Sequence, residues 1–279
     1  MKLRRVTSAP FRPCRSPSSS MTILLKNISI IMIMLAVLFI AAGDGYVETG
    51  HIKVQGDFIR SDELGNVFLV KDNQLIKYSS SGVVLHTYSN LYSGEISFVD
   101  THDPFKILVY YEAFGQVEFL DHSLSLTSSS ISLNMLNLSL VTLVCSSYQG
   151  AFWVYDPTNF ELQRITQTLE ISERSGNLQQ VTGYTPDPNY MLERDNYLYL
   201  NDPAIGILIF DKYGSYFKTL PVKGLTSFQV FDRKVIYIEG NEISIYDTRL
   251  NELSTTKLPQ DDAVSVSVCL SLDPQKLYM

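Results

Sequence analysis

Cysteine is scarce in this chain, with three residues in 279. Cys14 lies in the N-terminal segment, and Cys145 and Cys269 lie in apolar, strand-like runs. Because there is no set of regularly spaced cysteines, a disulfide framework is excluded as the basis of the fold. We expect Cys145 and Cys269 to be buried free thiols.

Long apolar runs are also scarce. The longest covers residues 28–42 and follows a basic, serine-rich tip without acidic residues. Small residues, Ala41, Ala42 and Gly43, stand at its end. It is shorter than the ~20 residues that a membrane-spanning helix needs. Residues 1–45 are therefore predicted to be a secretory signal peptide, and the alternative is an N-terminal membrane segment that is not cleaved. Met21 could also be the true start of the chain.

Basic residues are few beyond that segment. Removing residues 1–45 leaves 16 Lys and Arg against 28 Asp and Glu, a net charge of −12 for the predicted domain 46–279. No basic stripe exists, so nucleic-acid binding is not expected. We expect an exported monomer, periplasmic or associated with the bacterial cell envelope, which meets the membrane only if the N-terminal segment is uncleaved.

Recognisable catalytic motifs are missing. The four histidines, His51, His86, His102 and His122, form no HExxH motif and stand with no carboxylates or cysteines at metal-ligand spacing. There is no GxSxG elbow and no glycine-rich phosphate loop. We therefore predict no catalytic residues, no metal and no cofactor.

What the chain does have is a repeated pair of apolar strands. Val67, Val109, Val154, Tyr199 and Val235 are each followed, 11 residues later, by Tyr78, Leu120, Ile165, Phe210 and Tyr246. Units start 36 to 45 residues apart, a further start fits at Leu277, and turn residues separate the strands. Such a period is typical of β-propeller blades. The sequence favours an all-β propeller of six four-stranded blades, with the last blade either small or truncated; five blades is the alternative if the last segment is irregular.

Within this scaffold, four residues are candidates for binding. Tyr184 and Tyr190 lie in a proline-rich connection, residues 183–190, that is long for a blade, and long loops on rigid scaffolds often carry recognition. Asp156 and Asp202 lie in turns where, with nearby asparagines, they could ligate calcium, although their spacing matches no calcium-loop motif. The alternative for the aspartates is that they only make turns.

The segments Gly65-Asn66-Val67-Phe68-Leu69-Val70 and Gln74-Leu75-Ile76-Lys77-Tyr78 resemble repeats of NHL-type and TolB-type propellers. The run Arg60-Ser61-Asp62-Glu63-Leu64-Gly65-Asn66, with Gly150-Ala151-Phe152-Trp153-Val154-Tyr155, is similar to a group of exported propeller proteins of the Bacteroidetes. The resemblance covers nearly all of residues 56–279. It marks blades and implies no activity.

The sequence therefore favours a non-catalytic recognition scaffold outside the cytoplasm for a protein or glycan partner. One alternative is an envelope assembly factor, by fold analogy with TolB-like propellers. The other is a propeller hydrolase or lyase acting on extracellular polymers. That enzyme predicts a cluster of carboxylates or histidines at the mouth of the central channel, and the candidates for it are Asp62, His102, Asp156 and Asp202.

Overall fold

The computed structural model describes residues 55–257 and the backbone of residues 269–270 and 277–278. Five four-stranded antiparallel sheets account for residues 58–257, each built from four consecutive strands. Blade 1 contains β1 to β4 (Phe58–Ser61, Val67–Lys71, Gln74–Tyr78, Val84–Tyr88). Blade 2 contains β5 to β8 (Phe98–Asp100, Ile107–Tyr111, Gln116–Leu120, Ile131–Ser132).

The remaining three blades follow the same order. Blade 3 contains β9 to β12 (Leu143–Ser146, Phe152–Asp156, Glu161–Ile165, Ile171–Asn177). Blade 4 contains β13 to β16 (Tyr190–Arg194, Tyr197–Asp202, Gly206–Asp211, Tyr216–Leu220). Blade 5 contains β17 to β20 (Gln229–Phe231, Lys234–Glu239, Glu242–Asp247, Glu252–Lys257).

The expected number of blades is wrong. The described residues form five four-stranded blades in a ring, not six. The repeat that was expected to start at Leu277 does form a strand, but it is two residues long (β22, Leu277–Tyr278) and pairs with one other two-residue strand (β21, Cys269–Leu270). Two such strands do not make a four-stranded sheet. The sequence also suggests that residues 46–56 add an outer strand that closes the ring; residues 46–54 lie outside the described part of the chain, and residues 55 and 56 are not in a strand.

Turn chemistry explains how the strands reverse. Two-residue hairpins join β2 to β3 and β13 to β14, and both residues of each turn have positive φ: Asp72 (48°) with Asn73 (61°), and Asp195 (54°) with Asn196 (64°). Such turns match the twist of the flanking strands, and Asn and Asp tolerate the left-handed region better than most residues.

Between residues 55 and 257, helical structure is sparse. A 3-10 helix spans Leu133–Leu136. Further 3-10 turns lie at Glu112–Phe114 and Tyr148–Gly150. One α-helix, α1 (Leu178–Thr182), was not predicted; Asn177 caps it by accepting a hydrogen bond from the backbone N–H of Gln180. In the part of the chain described here, no helix is both long and apolar enough to cross a membrane.

The core consists of four apolar clusters, one at each seam between consecutive blades from blade 1 to blade 5. Neighbouring residues of a central strand point to opposite seams: Val109 packs toward blade 1, whereas Leu108 and Tyr110 pack toward blade 3. Side chains alternate along a strand, so a strand that is buried on both faces must be apolar throughout. This accounts for the five consecutive buried residues of β6 and of β10.

Candidate functional site

A cavity of about 310 Å³ lies where the innermost strands meet around the axis. Among the described residues, it is lined by blades 1, 2, 4 and 5, through β1, β5, β13 and β17, the turns that follow them, and Ile236 and Ile245 of the next two strands of blade 5. Its charged and aromatic lining residues are Arg60, Asp62, Glu63, Phe98, Asp100, His102, Tyr190, Arg194, Asp195, Phe231 and Asp232. In these four blades, the first strand, at one edge of its sheet, and the turn after it deliver these side chains to the axis.

Arg60 reaches into this cavity through a group of three rings that we name the aromatic collar: Phe58, Phe98 and Tyr190. Its guanidinium carbon lies 4.9, 5.5 and 5.8 Å from their ring centroids, respectively. Phe98 and Tyr190 also meet edge to face, with centroids 5.8 Å apart. Contact between a guanidinium and aromatic rings at this range is attractive and fixes the orientation of the side chain.

The hydrogen bonding of Arg60 is incomplete. Its Nη1 donates to the carbonyl oxygen of Ile59 at 2.8 Å. Within residues 55–257, its buried Nε has no hydrogen-bond partner, and no described carboxylate forms an ion pair with it. Arg60 therefore keeps part of its capacity to bind an oxygen-bearing group.

The second guanidinium of the cavity, Arg194, is paired. Its Nη2 lies 3.3 Å from Oδ1 of Asp100, whose side chain is 2% exposed. Oδ2 of Asp100 accepts hydrogen bonds from the backbone N–H of Ser146 at 3.0 Å and from its hydroxyl at 2.5 Å. Burial alone would raise the pKa of Asp100, but Arg194, Ser146 and His102 outweigh it and hold the pKa below its usual value. Asp100 is thus ionised and ties blades 2, 3 and 4 together near the axis.

At the edge of the cavity, Nδ1 of His102 lies 3.3 Å from Oε1 of Glu63, and both side chains are nearly half exposed. Burial lowers the pKa of His102, and the positive charge of Arg194 lowers it further, against the raising effect of Asp100 and Glu63. His102 is therefore neutral at neutral pH. A neutral imidazole beside a carboxylate can accept or relay a proton. Over the described residues, no group of three His, Cys, Asp or Glu side chains could hold a metal ion.

The structure does not bring the four predicted binding residues together. Tyr190 lines the cavity, at the start of β13. Tyr184 lies in the connection after α1 and is 66% exposed. Asp156 accepts hydrogen bonds from Thr158 N–H (2.9 Å) and the Asn159 amide (2.7 Å), and so holds its turn. Their roles in ligand binding stay predictions.

Asp202 behaves in the same way as Asp156. Its carboxylate is 1% exposed and accepts hydrogen bonds from the backbone N–H groups of Ala204 (2.9 Å) and Asp187 (2.8 Å). Of the four residues that an enzyme was expected to bring together, Asp62 and His102 line the cavity, whereas Asp156 and Asp202 are not among its lining residues.

Sequence reasoning missed Arg60, Phe98, Asp100 and Arg194. A signal for three of them exists: Asp100 and Arg194 are the last residues of β5 and β13, and Arg60 is the last but one of β1. A charged residue recurring at the end of the innermost strand, in blades whose central strands are apolar, points to the axis.

The sequence matches no protein-family model and no curated protein. Solved structures do resemble the chain. A streptogramin B lyase aligns with a TM-score of 0.53 at 16% identity, over 77% of this chain and 72% of the other. A virginiamycin B lyase from Staphylococcus aureus gives 0.52 at 17% identity, over 75% and 72%. The Pan2 WD40 domain of Neurospora crassa gives 0.52 at 8% identity, over 72% and 65%. Likeness at such identities shows the fold alone, and that fold is a β-propeller.

Proposed function

We propose that this chain is a non-catalytic recognition propeller, which holds a protein or glycan partner outside the cytoplasm. The observation that carries the proposal is the central cavity with Arg60 fixed in the aromatic collar and not ion-paired within the described chain. Its volume of about 310 Å³ is at the lower end of the range for ligand sites, roughly 300–1,000 Å³. The cavity combines apolar walls with a few polar groups, as such sites do.

The scaffold suits recognition because its parts are fixed. Buried hydrogen bonds tie consecutive blades together, such as that between Tyr110 and the carbonyl of Val141 at 2.7 Å. Aspartates such as Asp62 hold the turns that follow the innermost strands. A site that is pre-organised in this way loses little conformational entropy when it binds.

The location outside the cytoplasm rests on the predicted signal peptide, residues 1–45, and on the resemblance to exported propellers. Both belong to the proposal. The acidic balance of the chain, net −7, also disfavours polyanionic partners.

Affinity capture with matched variants tests the proposal. The full-length chain would be used to capture partners from the cell envelope and from glycan arrays, beside Arg60→Gln in the cavity and Arg174→Gln on the outer strand β12. Arg174 is half exposed and pairs with Glu161 at 2.6 Å, so its loss controls for charge alone. We expect a partner that Arg60→Gln loses and Arg174→Gln keeps. A partner held equally by both variants, or none at all, would contradict the proposal.

An enzyme is the second candidate, because His102 and Glu63 form a neutral imidazole–carboxylate pair at the cavity edge. In this reading, His102 is a general base of a lyase or hydrolase that acts on a polymer. The experiment is a screen of extracellular polysaccharides for product formation, with His102→Gln as the control. Turnover that this substitution abolishes would overturn the non-catalytic proposal.

A further inference from the structure

The positive and negative charges of the cavity lie at different depths, with the cations inside and the exposed carboxylates at the edge. Two guanidiniums, Arg60 and Arg194, lie in its interior, and Asp100 is committed to Arg194. The other buried carboxylate of the wall, Asp62, accepts hydrogen bonds from the backbone N–H groups of Leu64 and Asn66, and so faces its own turn. Arg60 is left as the interior cation without a counter-ion among the described residues.

An unpaired, partly buried cation favours an anion. Removing a charge from water is costly unless it is paired, and a guanidinium offers a planar fork that matches a carboxylate. Within residues 55–257, Nε is buried without a partner, and the rings of the aromatic collar hold the guanidinium group in place. Because Nε is closed off from solvent, a carboxylate arriving in the cavity would bind the terminal N–H groups of Arg60 that the carbonyl of Ile59 does not use.

The edge of the cavity has the opposite sign. We name Glu63, Asp195 and Asp232 the acidic rim; all three line the cavity and are exposed. Asp232 is partly neutralised by Arg249 at 3.1 Å, whereas Asp195 accepts only a backbone hydrogen bond among those found, from Arg233. No exposed lysine or arginine is among the described residues that line the cavity. The rim therefore attracts positive charge and repels a chain of repeated carboxylates.

This pattern fits a ligand whose end is negative and whose preceding part is positive. A polyuronate carries a carboxylate on every sugar, so the rim would repel it. The C-terminal end of a basic peptide has a single terminal carboxylate with cationic side chains behind it. A cavity of about 310 Å³ is at the small end of the usual range for ligand sites and has room for a chain end, which brings a single carboxylate to Arg60.

We infer that the central cavity binds the C-terminal tail of a partner protein, with the terminal carboxylate on Arg60 and upstream basic side chains against the acidic rim. This inference rests on the proposed function, and it names the partner class for the same site. Capture of a chain end in this way is a known mode of peptide recognition.

The test compares two peptide libraries on the full-length chain. One contains random hexapeptides with free C-terminal carboxylates, the other contains the same sequences as C-terminal amides, and oligosaccharides ending in a uronic acid form a third arm. We expect enrichment of basic peptides from the free-carboxylate library alone. Binding of a selected peptide should weaken roughly 10- to 100-fold on amidation or in Arg60→Gln, as expected for the loss of a charged hydrogen bond. Arg174→Gln should bind as the wild type does.

A rim variant keeps the inference testable if Arg60→Gln does not fold. Glu63→Gln should weaken binding of the basic peptides and reduce its dependence on salt, while the need for a free carboxylate persists. Folding of each variant is followed through the fluorescence of Trp153.

The remaining outcomes distinguish a failure of this inference from a failure of the proposed function. Equal binding of free and amidated peptides, or selection of the acidic oligosaccharides, overturns the inference and leaves a recognition propeller. Absence of binding in all three arms, together with no partner in the capture experiment, overturns both.

Discussion

Trp153 donates a hydrogen bond from its indole Nε1 to Oε2 of Glu193, 2.6 Å away, across the seam between blade 3 and blade 4. The same oxygen accepts from the hydroxyl of Ser147 at 2.6 Å. Trp153 is completely buried and Glu193 is 7% exposed, so both groups depend on each other for the partners that water would otherwise supply. This link joins β10, a central strand of blade 3, to β13, the innermost strand of blade 4.

Glu193→Leu should destabilise the protein by about 1–3 kcal/mol, because it leaves the buried indole N–H and the Ser147 hydroxyl without their acceptor. Glu193→Gln keeps one carbonyl acceptor and should lose less. The stability of both variants is measured by urea unfolding followed through the fluorescence of Trp153, which is the single tryptophan and reports on this seam. Equal midpoints for the two variants would show that the hydrogen bond contributes little.

A second seam, between blades 1 and 2, predicts acid sensitivity. Glu118 is 1% exposed and accepts hydrogen bonds from Tyr88, Asn90, Ser93 and Ser130, at 2.5 to 3.1 Å. Burial alone would raise its pKa, but the hydrogen bonds outweigh it and the pKa is lowered. The unfolded chain then binds the proton more readily than the folded one, so stability is present above about pH 4.3 and falls as pH drops through the lower folded-state pKa.

Glu118→Gln should therefore be less stable than the wild type at neutral pH and should lose less stability on acidification. The amide N–H group of Gln would face side chains that already donate hydrogen bonds to this position, and the hydrogen bond lost in this way costs about 1–3 kcal/mol. Chemical denaturation at a series of pH values between neutral and acidic measures both effects. Parallel curves for variant and wild type would contradict the assigned role of Glu118, although Asp100 is expected to preserve some pH dependence in both.

The strands of this fold were readable from sequence because each central strand is buried on both faces. Such strands consist almost entirely of β-branched, aromatic and aliphatic residues, as in β10, Phe152–Asp156. The 11-residue spacing marked the strand pairs, yet it gave the register in only two of the five: Val67 faces Tyr78, and Val235 faces Tyr246. Turn lengths between the paired strands differ from blade to blade, so Val154 faces Gln163 instead.

The predicted number of blades was wrong because the repeat period of the strand pairs and the length of the chain do not show whether each repeat forms four strands. In the final repeat, the residues that the structure describes form the two-residue strands β21 and β22. α1 was missed because five residues are too short for helical periodicity to be visible.

The cavity could not be read from local patterns. Arg60, Phe98 and Tyr190 are up to 130 residues apart and meet only because the ring brings the inner strands of blades 1, 2 and 4 together. The long loop at residues 183–190 did point to Tyr190, which reaches the axis. Charge separation between interior and rim becomes visible only once burial is known.

Backbone geometry at the β14–β15 turn makes a further prediction. Gly206 has φ +125°, and a Cβ placed on it would collide with the carbonyl oxygen of Leu220. Gly206→Ala should lower stability through strain, about 1–2 kcal/mol, and through overpacking, typically 1–3 kcal/mol. Gly183→Ala is the matched control: φ is +74°, with nothing within 4 Å of the added carbon. Urea midpoints should rank wild type, Gly183→Ala and Gly206→Ala in falling order; reversal of the two variants would contradict the close approach at Leu220.

Cys145 confirms one sequence-based expectation, since it is a buried free thiol. Burial raises its pKa well above the usual value, and the nearby charges of Asp100 and Glu193 raise it further. Because the thiolate is the reactive form, Cys145 should be inert in the folded protein even at mildly alkaline pH. In a Cys14→Ser, Cys269→Ser background, a thiol reagent should label nothing until urea unfolds the chain. Adding Ser81→Cys, in an exposed turn of blade 1, provides a thiol that must react at once in the native state. Labelling of Cys145 at a comparable rate would mean that the seam between blades 3 and 4 opens far more readily than its packing and the Trp153–Glu193 bond allow.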